Sequence, residues 1–221
     1  MSCRLGLILI LALLVSACVN STIDEMVLLP SEQFVSGRSI VILGRRHSSD
    51  YETEPDFVQC VGKHISARSE SIRVIDEQVF VDSLYPWFEA RTAPLRLQHL
   101  ERLLERPAVR DSITAMGTRF IIWIDGSTQT SDEVGSVACG IGAGGAGCFG
   151  FGTWNSDAHY EATIWNFDDL DRAGRITADA SGQSYMPAVV LPIPIIAPVQ
   201  SSACEGLGSQ LLQFLNPENG K

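Results

Sequence analysis

Asp157, His159 and Glu161 alternate along one short segment, and on a strand alternating residues share a face. A carboxylate, an imidazole and a second carboxylate in line could set up general-base chemistry, or give two or three ligands to a metal. Little else in the chain would complete such a site. There is no GxSxG, SxxK or HExxH to bring a nucleophile or a metal-binding helix, and His47, His64 and His99 are scattered. The same face continues through Thr163 to Trp165, as the half-exposed face of a sheet does. A solvated sheet face is therefore the preferred reading of the trio, and a hydrolase using His159 with Asp157 or Glu161 is the alternative.

Residues 135–152 hold eight glycines in eighteen positions. The run from Gly140 to Gly145 nearly spells a dinucleotide fingerprint, which needs a strand before it and a helix after it. The following Phe149-Gly150-Phe151-Gly152-Thr153-Trp154 does not start a helix, and GxxxxGK[ST] is absent. No nucleotide or other cofactor is expected. Glycine permits positive φ and close backbone approach, so a wide turn or bulged hairpin is the main reading. Phe149, Phe151 and Trp154 are candidates for partner binding, with packing inside the domain preferred. Residues 185–199, YMPAVVLPIPIIAPV, form the second unusual run. Their prolines forbid a regular helix. Pro192 and Pro194 could belong to an extended apolar arm touching a membrane or a partner, but a stiff crossover over the domain's own core is preferred.

The rest of the chain supplies the scaffold for these segments. It has 221 residues, 45% of them hydrophobic, with 16 Lys and Arg against 26 Asp and Glu for a net charge of −10. So much apolar sequence excludes a disordered acidic tail. The acidic balance argues against nucleic acid as a partner, because that affinity comes from neutralising phosphates. The apolar run 39–44 predicts a buried strand, and residues 71–75 a second one. Pro55 and Asp56 suit the start of a helix whose apolar stripe is Phe57, Val58, Val61 and Ile65. Asp76 caps a helix carrying Val79, Phe80 and Leu84. A further helix follows Thr92, with Pro94 in its first turn and Leu97, Leu100, Leu103 and Leu104 facing the core. Pro107 opens a shorter helix that Gly117 ends. The period then changes to two, and residues 120–125, 134–139, 159–167 and 175–181 predict an antiparallel meander. A last helix spans roughly residues 202–215. The expected fold is α+β: a single domain over residues 38–221, with helices packed on a mainly antiparallel sheet.

The first residues read as an address. A short segment with Arg4 precedes an apolar stretch too brief to span about 30 Å of hydrocarbon, and Val15-Ser16-Ala17-Cys18 follows. These four residues resemble the lipobox of bacterial lipoprotein precursors. The resemblance implies a signal peptide over residues 1–17, lipidation of Cys18, and residues 18–37 as a lipidated N-terminus and tether. Val19 is not the Asp that retains enteric lipoproteins at the inner membrane. In a host with two membranes the resemblance therefore favours the periplasmic face of the outer membrane. Export brings oxidising conditions, and four cysteines remain for the folded part. Three pairings are possible; Cys139–Cys148, at the base of the glycine loop, and Cys60–Cys204, between two predicted helices, are favoured. With neither CxxC nor HxxxH present, no structural metal is expected. In element order alone the domain is similar to the periplasmic modules of curli-secretion-type lipoproteins, penicillin-binding-protein activator lipoproteins and the amino-terminal part of TolB, on the strand 39–44 before a helix, the strand near Val74-Ile75, and residues 117–125 opening a run of paired strands. Fold does not fix function. The expected role is a lipid-anchored envelope protein, non-catalytic, attached to the membrane through Cys18 and acting on an envelope protein partner.

Overall fold

The computed structural model of the protein describes residues 19–27, 38–45, 53–89, 92–142 and 145–216. The signal segment 1–17, Cys18 and His47 lie outside the described residues. In chain order the elements are β1 (Val19–Val27), β2 (Ser39–Gly44), α1 (Pro55–Arg68), β3 (Arg73–Ile75), α2 (Glu77–Ser83), α3 (Leu97–Leu104), α4 (Pro107–Ala115), β4 (Thr118–Gly142), β5 (Gly145–Asn166), β6 (Asp171–Pro192) and α5 (Val199–Leu215). The strands form one sheet in the order β1-β6-β5-β4-β2-β3. β2 runs parallel to β3 and β4; β1, β4, β5 and β6 pair antiparallel. The protein is thus α+β, with helices on a mixed, mostly antiparallel sheet.

β2 is buried along its whole length because helices cover both sides of the sheet there, the setting in which strands become continuously apolar. Its alternate residues feed two cores. Ile40 and Ile42, with Ile122 and Ile124 of β4, pack under α1 and α5 against Phe57, Val61, Leu207 and Leu211. Val41 and Leu43, with Ile121 and Trp123, pack under α2, α3 and α4 against Phe80, Leu100, Leu104 and Ile113. Pro55 sits in the first turn of α1, where its missing N–H costs nothing. Asp76 caps α2 by accepting from the Gln78 and Val79 amides at 2.9 and 3.3 Å. Gly117, at φ 69°, supplies the left-handed residue after α4. The Cys60–Cys204 disulfide ties α1 to α5 across 144 residues, which in the chain-entropy account contributes about 5 kcal/mol.

The structure corrects the sequence reading at several points. Residues 19–27, expected as part of a tether, are an edge strand paired with β6 from Val19↔Gly182 to Val27↔Gly174. Their weak pattern hid a tertiary contact: Ile23 packs so close to α5 that a Cβ on Gly206 would lie 2.5 Å from its Cδ1. Pro94 precedes α3 instead of lying in its first turn, and α5 begins at Val199. The predicted strands 120–125 and 134–139 are one strand of 25 residues, and β5 and β6 reach 22 residues each. Gly126 did not end β4. At φ 135° it sits so tightly against β5 that an added Cβ would lie 2.0 Å from the His159 carbonyl oxygen.

Candidate functional site

The three long strands carry one continuous face whose rows can be followed from the base of the sheet to its far end. Near the base the rows, taken across β4, β5, β6 and β1, are Asp125-Glu161-Thr177-Asp24, Ser127-His159-Asp179-Thr22 and Gln129-Asp157-Ser181-Asn20. The predicted trio therefore does share a face, but in three separate rows, roughly 7 Å apart along the strand. Its members partner other residues. His159 Nδ1 is bonded to the Asp179 carboxylate. The Glu161 carboxylate takes Arg175 Nη1 at 3.2 Å and the Thr163 hydroxyl at 3.3 Å. Asp157 is exposed between Gln129 and Ser181. Among the described residues no group of three or more His, Cys, Asp or Glu side chains is placed to hold a metal.

Further along the same face the polarity changes. The row Ser131-Asn155-Gln183 is the last polar one. Beyond a bulge between Ser131 and Val134 come Val134-Thr153-Tyr185, Ser136-Phe151-Pro187 and Ala138-Phe149-Val189. This end of β4, β5 and β6 projects as an arm with no helix over it. Phe149 is 77% exposed, Phe151 52% and Val189 73%, and Ile141 near the tip is 91% exposed. Nine of the twelve large apolar side chains exposed among the described residues lie on the arm, so they form one concentrated patch and not scattered single residues. Phe149 and Phe151 therefore do not pack inside the domain, while Trp154 is half-buried. Nor do residues 185–196 cross over the core. Pro192 and Pro194 are exposed and the chain regains the core only at Ala197 and Val199.

Several local features shape the arm. The Cys139–Cys148 disulfide joins directly paired residues of the β4–β5 hairpin. Gly150, at φ 149°, has no room for a side chain, since a Cβ would lie 2.1 Å from the Ser136 carbonyl oxygen. Near the end of β6 the chain turns at Val190, φ 87°, and residues 193–195 run back beside the strand. The Ile193 and Ile195 amides donate to the Pro187 and Tyr185 carbonyls at 3.0 and 2.7 Å. At the root of the arm lies a part-buried polar knot around the fully buried Tyr160. Glu54, at the N-cap of α1, accepts from the Thr128 amide at 2.8 Å and from the Tyr160 hydroxyl at 3.0 Å. Thr128 Oγ1 is 2.9 Å from the same hydroxyl, and Tyr160 stacks on Phe57. Burial pushes the Tyr160 pKa up to about 12. The knot ties the start of α1 to β4 and β5 just below the arm.

The arm had a legible signal that motif reading passed over. Residues 134–156 and 180–204 contain no Asp, Glu, Lys or Arg, in a chain that is 19% charged. Two such runs brought side by side by a meander make an apolar surface that the local pattern of neither run reveals.

No protein-family model matches the chain, and no curated protein matches it by sequence. Among solved structures it is similar to the PelC dodecamer from Paraburkholderia phytofirmans, with 10% identity, a TM-score of 0.42, and coverage of 89% of this chain and 99% of that one. A point variant of the same PelC dodecamer in another crystal form gives 8% identity and a TM-score of 0.43, covering 88% and 98%. Likeness at this level identifies neither a family nor a shared site.

Proposed function

We propose that this is a lipid-anchored envelope protein that works without catalysis, by docking its apolar arm onto another component of the envelope. The observation that carries this reading is the arm itself: large exposed apolar side chains concentrated on an uncharged three-stranded projection. Surfaces of this kind mark interaction sites. The lipobox at residues 15–18 supplies the anchor, and the two disulfides suit an oxidising compartment outside the cytoplasm. In a host with two membranes the periplasmic face of the outer membrane is the proposed location. The hydrolase reading loses support from the separate pairings of His159 with Asp179 and of Glu161 with Arg175.

The test is mass spectrometry of the mature N-terminal peptide together with fractionation of cells. An acylated Cys18 is expected, and Cys18→Ala should abolish acylation and move most of the protein to the soluble fraction. An unmodified Cys18, with residues 1–17 still attached, would contradict the anchor.

A further inference from the structure

We infer that the apolar part of the arm is immersed in one leaflet of the lipid bilayer at which Cys18 is anchored, with the row Ser131-Asn155-Gln183 at the water boundary. The inference rests on the proposed anchor for its membrane and names what the arm meets there.

Four observations lead to it. Past the row Ser131-Asn155-Gln183 the side chains of three strands become mainly apolar within two rows, with Thr153 and Ser136 the polar exceptions, as a passage from water into hydrocarbon requires. Tyr185 stands in the first row past that level and Trp154 beside it; these two residue types concentrate at membrane interfaces. The length sets the tilt. From Val134 to the end of β4 at Gly142 the ladder makes eight steps, roughly 27 Å at 3.4 Å each, so the arm fits half of a hydrocarbon core of about 30 Å only when it lies strongly tilted. The opposite face of the arm carries the part-buried Val137 and Met186 and, near the tip, the exposed Ile141 among glycines, with Ala188 fully buried between them. This face too is without charge.

The start of β1 falls at the same level. Val19, which follows Cys18 in the sequence, pairs with Gly182, one residue short of Gln183. β1 runs antiparallel to β6, so its N-terminal end is directed along β6 toward the tip of the arm. The strand that follows the proposed acylation site in sequence thus begins facing the same way as the arm. The edges of the arm set how it sits. In the returning strand the Ile193 and Ile195 amides face β6, and on its outer edge Pro192 and Pro194 have no N–H to leave unpaired. Beyond Ile124 no strand among the described residues covers the outer side of β4. Unpaired backbone groups are costly in hydrocarbon, so the arm tilts with its proline edge deepest and β4 toward the headgroups.

The test uses the full acylated protein in phosphatidylcholine vesicles whose acyl chains carry bromine, which quenches fluorescence by contact. A single added cysteine at Phe149, Val189 or Thr177 carries an environment-sensitive fluorophore. Quenching at 149 and 189 is expected to exceed that at 177 roughly two-fold or more, because acyl chains reach only the apolar rows. Equal quenching at the three positions, or none, would overturn the inference. A second measurement does not depend on acylation. Cys18→Ala protein should retain weak binding to plain phosphatidylcholine vesicles, and adding Phe149→Asp and Val189→Asp should lower it about ten-fold or more. Both side chains are exposed in water, so the fold is kept, and binding unchanged by the two charges would also overturn the inference. An unacylated Cys18 with arm quenching intact would contradict the anchor alone. Acylation with an unquenched arm would contradict the immersion alone.

Discussion

The same three strands build both ends of this molecule, and the two ends obey opposite rules. At the base, β4, β5 and β6 lie under α1 and α5, and their even-numbered residues on β5, from Ala158 to Ile164, are buried against helices. Past the row Ser131-Asn155-Gln183 the hydrogen-bonded ladder continues with no change of partner, yet most of its large apolar side chains are exposed. Backbone pairing alone therefore does not tell a core from an exposed surface. The difference lies in what stands on the faces, and it predicts that the base carries the stability of the fold while the arm carries its contacts.

Removing the disulfides should separate the ends most clearly. Replacing Cys60 and Cys204 by Ala removes the link across 144 residues and should cost up to about 5 kcal/mol of global stability, read by denaturant unfolding. The same change at Cys139 and Cys148 should lower hydrogen-exchange protection in residues 134–154 and leave the unfolding midpoint of the base nearly unchanged. Equal effects of the two pairs would break the distinction. A similar contrast is expected for side chains. Ile122→Ala, at a fully buried position, should cost about 2–5 kcal/mol, whereas Phe149→Ala should cost under about 0.5 kcal/mol in solution.

The seam between base and arm gives a pH signature. Desolvation raises the Tyr160 pKa from 10.0 to about 12, so the folded state holds this proton more tightly than the unfolded one. Stability should be complete below pH 10 and fall as pH rises from 10 toward 12, by an amount on the order of 2 kcal/mol. Tyr160→Phe should flatten that step in alkaline unfolding curves, and an unaltered curve would remove Tyr160 from the account. The smallest effect belongs to the base alone. Burial first, then the Arg68 charge, lowers the His64 pKa from 6.5. The unfolded state therefore binds the proton more readily, and some stability should be lost as pH falls below 6.5. His64→Gln should remove that acid-side loss.

Much of the base was legible in the sequence because its signals are local. Asp76 as a cap, Pro55 and Pro107 in first helical turns, and the stripe from Phe57 to Ile65 each act within a turn or two of chain. The strand 39–44 announced its burial by being apolar throughout. Both favoured cysteine pairs are joined. The arm was less legible. Gly126 and the polar run 127–133 look like a turn until β5 is laid beside them, when the glycine becomes the residue that lets two backbones approach. Phe149 and Phe151 carry no local mark of exposure, because an apolar side chain bound for a core and one bound for a docking surface have the same chemistry. β1 escaped notice for a related reason, since what holds it is β6 and α5, far along the chain.

The central claim is that the arm, and not the polar rows beneath it, is the working surface. A photo-crosslinking residue walked along β5 in living cells tests it on a single strand. Placed at Phe149 or Phe151 it should capture envelope material, lipid or protein, and placed at Asp157, His159 or Glu161 it should capture little. Capture confined to the polar rows, with none from the arm, would contradict the account and return attention to His159 and its neighbours.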